Sequence, residues 1–307
     1  MRLNISMLTN FINKCRQFTI KEKYYPYLFD SLIIVVILFL FIYPLFYCIV
    51  KSFFINDKFI LSNYIRMASD DIFLHSIVIT FLYVLFYTFG IMLIGFITAL
   101  VVDKSEQLKL PGAKVFTAFV TLPYAIPDVV ASLIWLWMLN PRRGVINYLL
   151  SHLVGKSEIG WLTNSDIALV SVLLVSIWRL FPMHTLIILA AFRTVPMSLY
   201  EAASIDGASF FKQFFYITLP SISNIMKFLL LLTIVWSFKR FTIIWFLTRG
   251  GPMHATETLS IMIFKEAFKF FNRNYASSIS VILLVIVGTV SIFLLRYLRV
   301  QDGKEGV

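Results

Sequence analysis

Two sets of residues in this 307-residue chain have types and spacings that point to a chemical task. The first comprises ionisable side chains embedded in long apolar runs: Asp128, Arg179, Lys239 and Arg240. Charge at membrane depth is disfavoured, so such residues mark a solute path or a paired site by default. Trp236, Lys239, Arg240 and Ile243 fall at i, i+3, i+4 and i+7, and on a continuous helix they share one face. An indole beside hydrogen-bond donors suits a sugar, since the ring covers apolar C–H faces while the polar groups bind hydroxyls. The alternative is that the bases pair permanently with Asp128, or with a carboxylate across a subunit interface, and that Trp236 only packs. Trp135 joins the candidate path, although like Trp137, Trp161 and Trp245 it also reads as an interface or packing aromatic.

The second set lies in residues 196–220, which read PMSLYEAASIDGASFFKQFFYITLP. The pattern predicts two short helices joined at Gly207. Ser198 followed three residues later by Glu201 reads as a capping box, and Gly207 permits the left-handed conformation that ends a helix. Ala202 and Ala203 give a small, closely approachable surface. Ser209 is placed to cap the second helix, whose apolar face carries Phe210, Phe211, Phe214 and Phe215. Other chemistry finds no support. There is no glycine-rich loop ending in Gly-Lys-Ser/Thr and no His-Glu-x-x-His pair. His75, His152, His184 and His254 are scattered, and Cys15 and Cys48 imply neither a disulfide framework nor a metal site. No catalytic residue and no metal ligand is expected.

The elements that must position these residues are membrane spans. The chain is 59% hydrophobic and only 14% charged, with a mean hydropathy of +0.85. A soluble domain is about 45–50% apolar and about 25% charged. Crossing a hydrocarbon core of about 30 Å takes about 20 apolar residues. Six helices are predicted, over about 28–50, 74–102, 115–139, 166–190, 220–247 and 276–298. The net charge of +11 does not imply nucleic acid, because the basic residues cluster beside apolar runs as topology signals and headgroup contacts. Arg2, Lys14, Arg16, Lys21 and Lys23 precede the first span and place both termini inside. Residues 1–27 then form a cytoplasmic segment, 28–298 the membrane domain and 299–307 a cytoplasmic tail. The first apolar run starts too late, and is too long, for a secretory signal peptide. There is no internal repeat and no low-complexity stretch.

At about 1.5 Å per residue, Asp128 falls about 21 Å from the inner start of the third span. Lys239 and Arg240 fall about 29 Å along the fifth, and Arg179 about 20 Å from the outer end of the fourth. All four are therefore expected to face one cavity open to the outside. Pro123, Pro127 and Pro182 interrupt backbone bonding inside spans, which is tolerated where the freed groups meet protein or water. A kinked third helix is expected either as a gate or as packing curvature.

The loop now bears a resemblance. Glu201-Ala202-Ala203, three residues, Gly207, nine residues, then Ile217-x-Leu219-Pro220 resembles the EAA loop of ABC-importer permeases, with all seven signature residues in place. The resemblance implies a coupling helix that docks in a cleft of a separate ATPase and transmits ATP-driven closure. Glu201, Ala202, Ala203, Asp206, Gly207, Ile217, Leu219 and Pro220 would form that contact. The chain itself would then be no enzyme and hold no cofactor, ATP and Mg belonging to the partner ATPase. Leu122-Pro123-Tyr124, Asn140-Pro141-x-x-Gly144-x-x-Asn147, Trp178-Arg179, Leu247-Thr248-x-Gly250-Gly251-Pro252 and Thr256-Glu257-Thr258-Leu259 resemble permeases of the carbohydrate-uptake subfamily for oligosaccharides and glycerol phosphate. Within it, the first of the two permeases, related to the maltose-type F subunit, is the better likeness.

Several expectations follow from this resemblance. The fold would be an all-α, six-helix type I importer permease, N-in and C-in, in a bacterial inner membrane. It would move a sugar or sugar-like solute by alternating access. Its partners would be a second permease, an ATPase dimer, an extracytoplasmic solute-binding protein and lipid, with no nucleic acid. An anionic solute such as glycerol phosphate is the alternative within the family. An ion-coupled secondary transporter is the rival outside it, disfavoured by the loop and by six spans without a repeated half. A non-transporting scaffold is disfavoured by the charges at membrane depth. Thr242 stands where many relatives carry an acid, and Arg249 replaces a glycine, so the solute itself is not carried over.

Overall fold

The computed structural model describes residues 25–302, apart from 56, 57, 60, 156 and 157. Nearly all of the expected cytoplasmic N-terminal segment, with Cys15, lies outside the described residues, as do Lys156 and the last residues of the tail. Helices α1 (Tyr25–Ile37) and α2 (Tyr43–Ser52), joined through a π-helical stretch at Leu38–Ile42, form the first span. The most apolar part of this span buries nothing within the chain. A minimal antiparallel ladder, Phe54–Ile55 with Lys58–Phe59, is the one departure from an all-helical fold among the described residues. Helix α3 (Ser62–Ala68) then leads to the long helix α4 (Asp71–Gln107).

Helix α4 begins where Asp70 accepts hydrogen bonds from the Ile72 and Phe73 amides at 3.0 and 3.2 Å. These are two of the orphan donors that any helix start must satisfy. Its 37 residues give a rod of about 55 Å, against a hydrocarbon thickness of about 30 Å. The extra turns carry Asp103, Lys104 and Glu106 beyond the predicted 74–102 segment.

The third span is not one helix. Helices α5 (Ala113–Ala125) and α6 (Asp128–Met138) meet at 100°. The cause is local: a residue before proline is pushed out of the helical region, and Ile126, preceding Pro127, is extended at φ −83°, ψ 129°. Pro123 is tolerated inside α5, and Pro182 inside the next long helix. Distance along a straight third span therefore does not locate Asp128, which instead opens α6 directly after the break.

Helix α7 (Val145–Val154) leads to helix α8 (Ser165–Phe192). Helices α4 and α8 run parallel, since Gly90 meets Ile177, Gly95 meets His184 and Glu106 pairs with Arg193. The chain between them must therefore recross, which makes the bent α5–α6 pair a single broken crossing. At Gly95 an added Cβ would lie 2.7 Å from the His184 Cβ, so the absence of a side chain sets this close approach.

Helix α9 (Met197–Ile205) and helix α10 (Phe210–Gln213) follow. The latter runs through a π-helical stretch, Phe214–Thr218, into helix α11 (Leu219–Phe238). The second of the two short helices expected around Gly207 is thus the start of the fifth span. That span was predicted to reach 247, but it stops at Phe238, and helix α12 (Thr242–Thr248) starts anew. Helix α13 (Leu259–Phe264), a π-helical stretch (Lys265–Lys269) and helix α14 (Arg273–Asp302) complete the chain. Three buried clusters lie along α4: Phe73 with Leu259 and Tyr275, Tyr83 and Tyr87 with Val172 and Ile243, and Ala99 with Ile188 and Ile222. The described chain has five helices long and apolar enough to span a membrane, and a sixth crossing in the bent pair.

Candidate functional site

The two breaks in the spans meet in space. Asp128, at the start of α6, lies 3.1 Å from Arg179 Nε of α8 and 3.6 Å from Arg240 Nη1, just past the end of α11. The Arg179 contact has ion-pair distance without hydrogen-bond alignment, since its Nε–H finds no acceptor. Arg240 donates from Nη2 to the Tyr87 hydroxyl at 2.9 Å and lies over the Tyr87 ring, 5.4 Å from its centre. Arg179 lies over Tyr124 at 5.5 Å. Tyr83 stacks on Tyr87 one turn away, at 5.5 Å. The Arg240 carbonyl accepts from Ser260 Oγ at 2.6 Å, which ties the chain break to the residues of α13. The side chains of Arg179, Arg240 and Asp128 are 11%, 19% and 28% exposed. They form a half-buried node rather than a solvated surface.

The node gathers three of the four charges that the sequence set at membrane depth, and leaves out Lys239. The shared helical face of Trp236, Lys239, Arg240 and Ile243 does not exist, because α11 ends between them. Lys239 is exposed, Trp236 is 40% exposed, and Ile243 is buried in the core. Trp135 is also elsewhere. It packs edge-on against Trp178 at 5.3 Å, beside an apolar cavity of about 430 Å³ shared with Trp161 and Phe181.

At the other end of the molecule, α9 ends in a double backbone cap. Gly207 takes φ +75°, its amide bonds to the Ser204 carbonyl at 3.1 Å, and the Ala208 amide bonds to the Ala203 carbonyl at 2.9 Å. This is the Schellman arrangement, with glycine at the left-handed position. The expected capping box is absent. Pro196 stands at the N-cap, with Ser198 and Glu201 both inside α9, and no side chain caps its first turn. Ser209 occupies the N-cap position of α10 but makes no side-chain cap bond. Glu201, Ala202 and Asp206 are exposed and Ala203 is half-buried. Apolar side chains around them are exposed too, Ile205 by 87% and Phe211 by 71%. Lys104 of α4 lies over the Phe210 ring at 4.8 Å, and a cavity of about 570 Å³ separates α9 from the ends of α4 and α8. In the remaining signature segment Ile217 is half-buried, while Leu219 and Pro220 are exposed.

The turn after α12 forms a third cluster. Arg249, Gly250, Met253 and His254 all take positive φ, and the Thr256 hydroxyl bonds to the Gly251 carbonyl at 2.9 Å. Glu257 is buried and meets Lys265 Nζ at 2.6 Å and His254 Nδ1 at 2.5 Å. A cavity of about 470 Å³ opens here, lined by Arg249, Lys265, Lys269 and the aromatic wall of Trp245, Phe264 and Phe268. Close by, burial pushes the Glu266 carboxyl above its ordinary range, against the opposing pull of Arg66.

The family model for binding-protein-dependent transport system inner membrane components matches residues 91–301, well over half of the chain. The chain belongs to this family. A probable ABC transporter permease protein of Pyrococcus horikoshii is 33% identical over 227 residues, covering 74% of this chain and 76% of its own length. The sn-glycerol-3-phosphate transport system permease protein UgpA of Salmonella typhimurium is 30% identical over 289 residues, covering 91% and 95%. A solved bacterial ABC transporter involved in the import of the acidic polysaccharide alginate has a chain of the same fold, with a TM-score of 0.80 at 21% identity, covering 91% and 96%. The permease is an inner-membrane transport component by its family, and its described residues supply five long apolar spans and one bent crossing.

Several residues of the permease that form these sites escaped the sequence reading. Tyr83 and Tyr87 lie one turn apart on α4, a spacing visible in the sequence, but nothing marked them among the apolar residues around them. Tyr124 was named only within the Leu122-Pro123-Tyr124 motif, and Ser260 carries no signal, because it reaches the node only through the chain break after α11. His254, one of four scattered histidines, holds the buried Glu257. Asn147, noted only within a motif, donates to the Pro141 and Ile159 carbonyls at 2.9 Å each and accepts from Trp161 Nε1 at 2.8 Å.

Proposed function

We propose that this permease moves a sugar or sugar-like solute across the inner membrane by alternating access, driven by a separate ATPase bound at α9. The exposed apolar platform at the end of α9 carries this reading. Ile205 and Phe211 stand in solvent beside Glu201, on a turn locked by Gly207. Apolar surface of that kind is disfavoured in water and serves as a docking face. Glu201, Ala202, Ala203, Asp206, Gly207, Ile217, Leu219 and Pro220 form the contact, and ATP and Mg sit on the partner. A second permease completes the pathway and a solute-binding protein delivers the cargo. The sugar-like class is supported by the glycerol-3-phosphate permease relative, whose match covers nearly the whole chain. On this chain the solute path runs past Asp128, Arg179 and Arg240.

The test is reconstitution of the permease pair with its ATPase in liposomes. Solute-loaded binding protein should stimulate ATP hydrolysis and uptake, and the permeases alone should do neither. Glu201→Gln should weaken retention of the ATPase most at low salt, with the difference from Glu201 shrinking as salt rises, because salt screens a charge contact and the side chain caps no helix. Solute uptake by the permeases alone, driven by an ion gradient without ATP, would overturn the proposal.

A further inference from the structure

The charges at the node do not balance. One carboxylate, Asp128, serves two guanidinium groups, and the buried Glu257, three residues before Ser260, is engaged by Lys265 and His254. Arg179 is 91% buried as a residue, 9% remaining exposed. Its Nη1 and the Arg240 Nε are shielded from solvent and have no hydrogen-bond partner among the described residues. Buried polar groups are almost always paired, and an uncompensated buried charge is disfavoured. Two unmatched guanidinium nitrogens and one surplus positive charge thus converge between two broken helices. The tyrosine faces under the guanidiniums, Tyr87 and Tyr124, hold them in fixed orientations.

We propose that this node is an oxyanion station, which recognises the phosphate or carboxylate of an acidic sugar or polyol as it crosses. A guanidinium fork matches either group in two parallel hydrogen bonds. Asp128 then has a second role beside orienting the two arginines: it competes with the solute for them. A transport site must bind well enough to admit its cargo and weakly enough to release it. An internal carboxylate that takes back both arginines supplies that release. The cavity lined by Arg249, Lys265 and Lys269 is basic as well, and such a field raises the local concentration of anions at its mouth. The inference rests on the transport reading above and names the class of its cargo.

The test uses the assembled complex with its ATPase in nanodiscs, at matched ionic strength. Glycerol 3-phosphate and galacturonate are titrated against glycerol and galactose, and thermal unfolding is followed. At least one of the two anions should raise the midpoint in a saturable way, the responding one identifying phosphate or carboxylate, while the neutral compounds should not. Arg240→Gln should weaken the response at least tenfold, whereas Lys239→Gln, beside it in sequence but outside the node, should leave it intact. Asp128→Asn, if it assembles, should tighten the anion response several-fold. An equal response to charged and neutral probes, or none to any, would overturn the assignment. So would an undiminished response in Arg240→Gln or a weaker one in Asp128→Asn. ATP-driven uptake of a neutral sugar at full rate would also sink the anion class, yet leave the permease and its ATPase coupling standing.

Discussion

Replacing Gly207 separates backbone conformation from side-chain bulk at the α9 turn. Its φ is +75°, and among the described residues no atom beyond Gly207 and its two neighbours lies within 4 Å of where a Cβ would stand. Steric cost within the chain is therefore nil, and only the left-handed backbone penalty remains. That penalty is about 1–2 kcal/mol for a residue with a Cβ, which lowers the population of the capped turn about five- to thirty-fold. Valine, branched at Cβ, belongs at the upper end and alanine at the lower, while asparagine visits this region more readily. ATPase retention and reconstituted uptake should therefore fall in the order Gly, Asn, Ala, Val. The chain should still insert, because the two bonds at stake, Gly207 to Ser204 and Ala208 to Ala203, lie outside the buried core. Wild-type uptake by Gly207→Val would refute the reasoning. Equal loss in Asn and Val would transfer the cause to bulk against the docked partner.

Gly95→Ala should destabilise by about 1–3 kcal/mol, the cost of overpacking. Gly90→Ala should cost less, because its new Cβ meets the movable tip of Ile177 at 2.5 Å rather than a Cβ beside backbone; thermal midpoints of the two variants check the order. Asn147→Ala removes three hydrogen bonds, each worth about 1 kcal/mol, so a loss of about 3 kcal/mol and faster proteolysis near Ile159 are expected. For Glu266 the raised carboxyl means that the folded state holds its proton more tightly than the unfolded chain does. Stability from this group is therefore full below the ordinary carboxylate range and is lost as pH rises through the folded value. Glu266→Gln should raise the thermal midpoint at neutral pH, with the gain vanishing toward acidic pH; a gain that grows on acidification would contradict this.

The long spans and the α9 turn were legible because their signals are local. Runs of apolar residues marked every crossing, and Gly207 sits where a helix must turn left-handed. The breaks were less legible. Pro127 was visible, but whether a proline kinks a helix or ends it depends on the residue before it, and Ile126 went extended. Lys239 and Arg240 are followed by another apolar run, so a hydropathy window carries the fifth span straight across the point where it stops. That error placed Lys239 on a face that does not exist. The node itself depends on both breaks, since Asp128 follows one and Arg240 lies in the other. Ser198 and Glu201 have capping-box spacing, yet Pro196 starts α9 two residues earlier, which moves both inside the helix.

Helix α4 has a mechanical consequence. Tyr87 stands 16 residues past the Asp71 end of α4 and 20 short of the Gln107 end, or about 24 and 30 Å at 1.5 Å per residue. One end is fastened through Asp70 to the Tyr275 hydroxyl at 2.6 Å, and the other meets the α9–α11 region where Lys104 covers Phe210. Arg240 grips the rod near its middle, so that α4, moving together with the α8 packed along it, would be a lever with the charged node as its fulcrum. A tilt of about 5° about that point carries the two ends in opposite directions by about 2 and 3 Å, lengths that follow from the helical rise. With an ATPase docked at α9, as proposed above, a push there would emerge as a pull at the far end, with no bond along the helix stretched to transmit it.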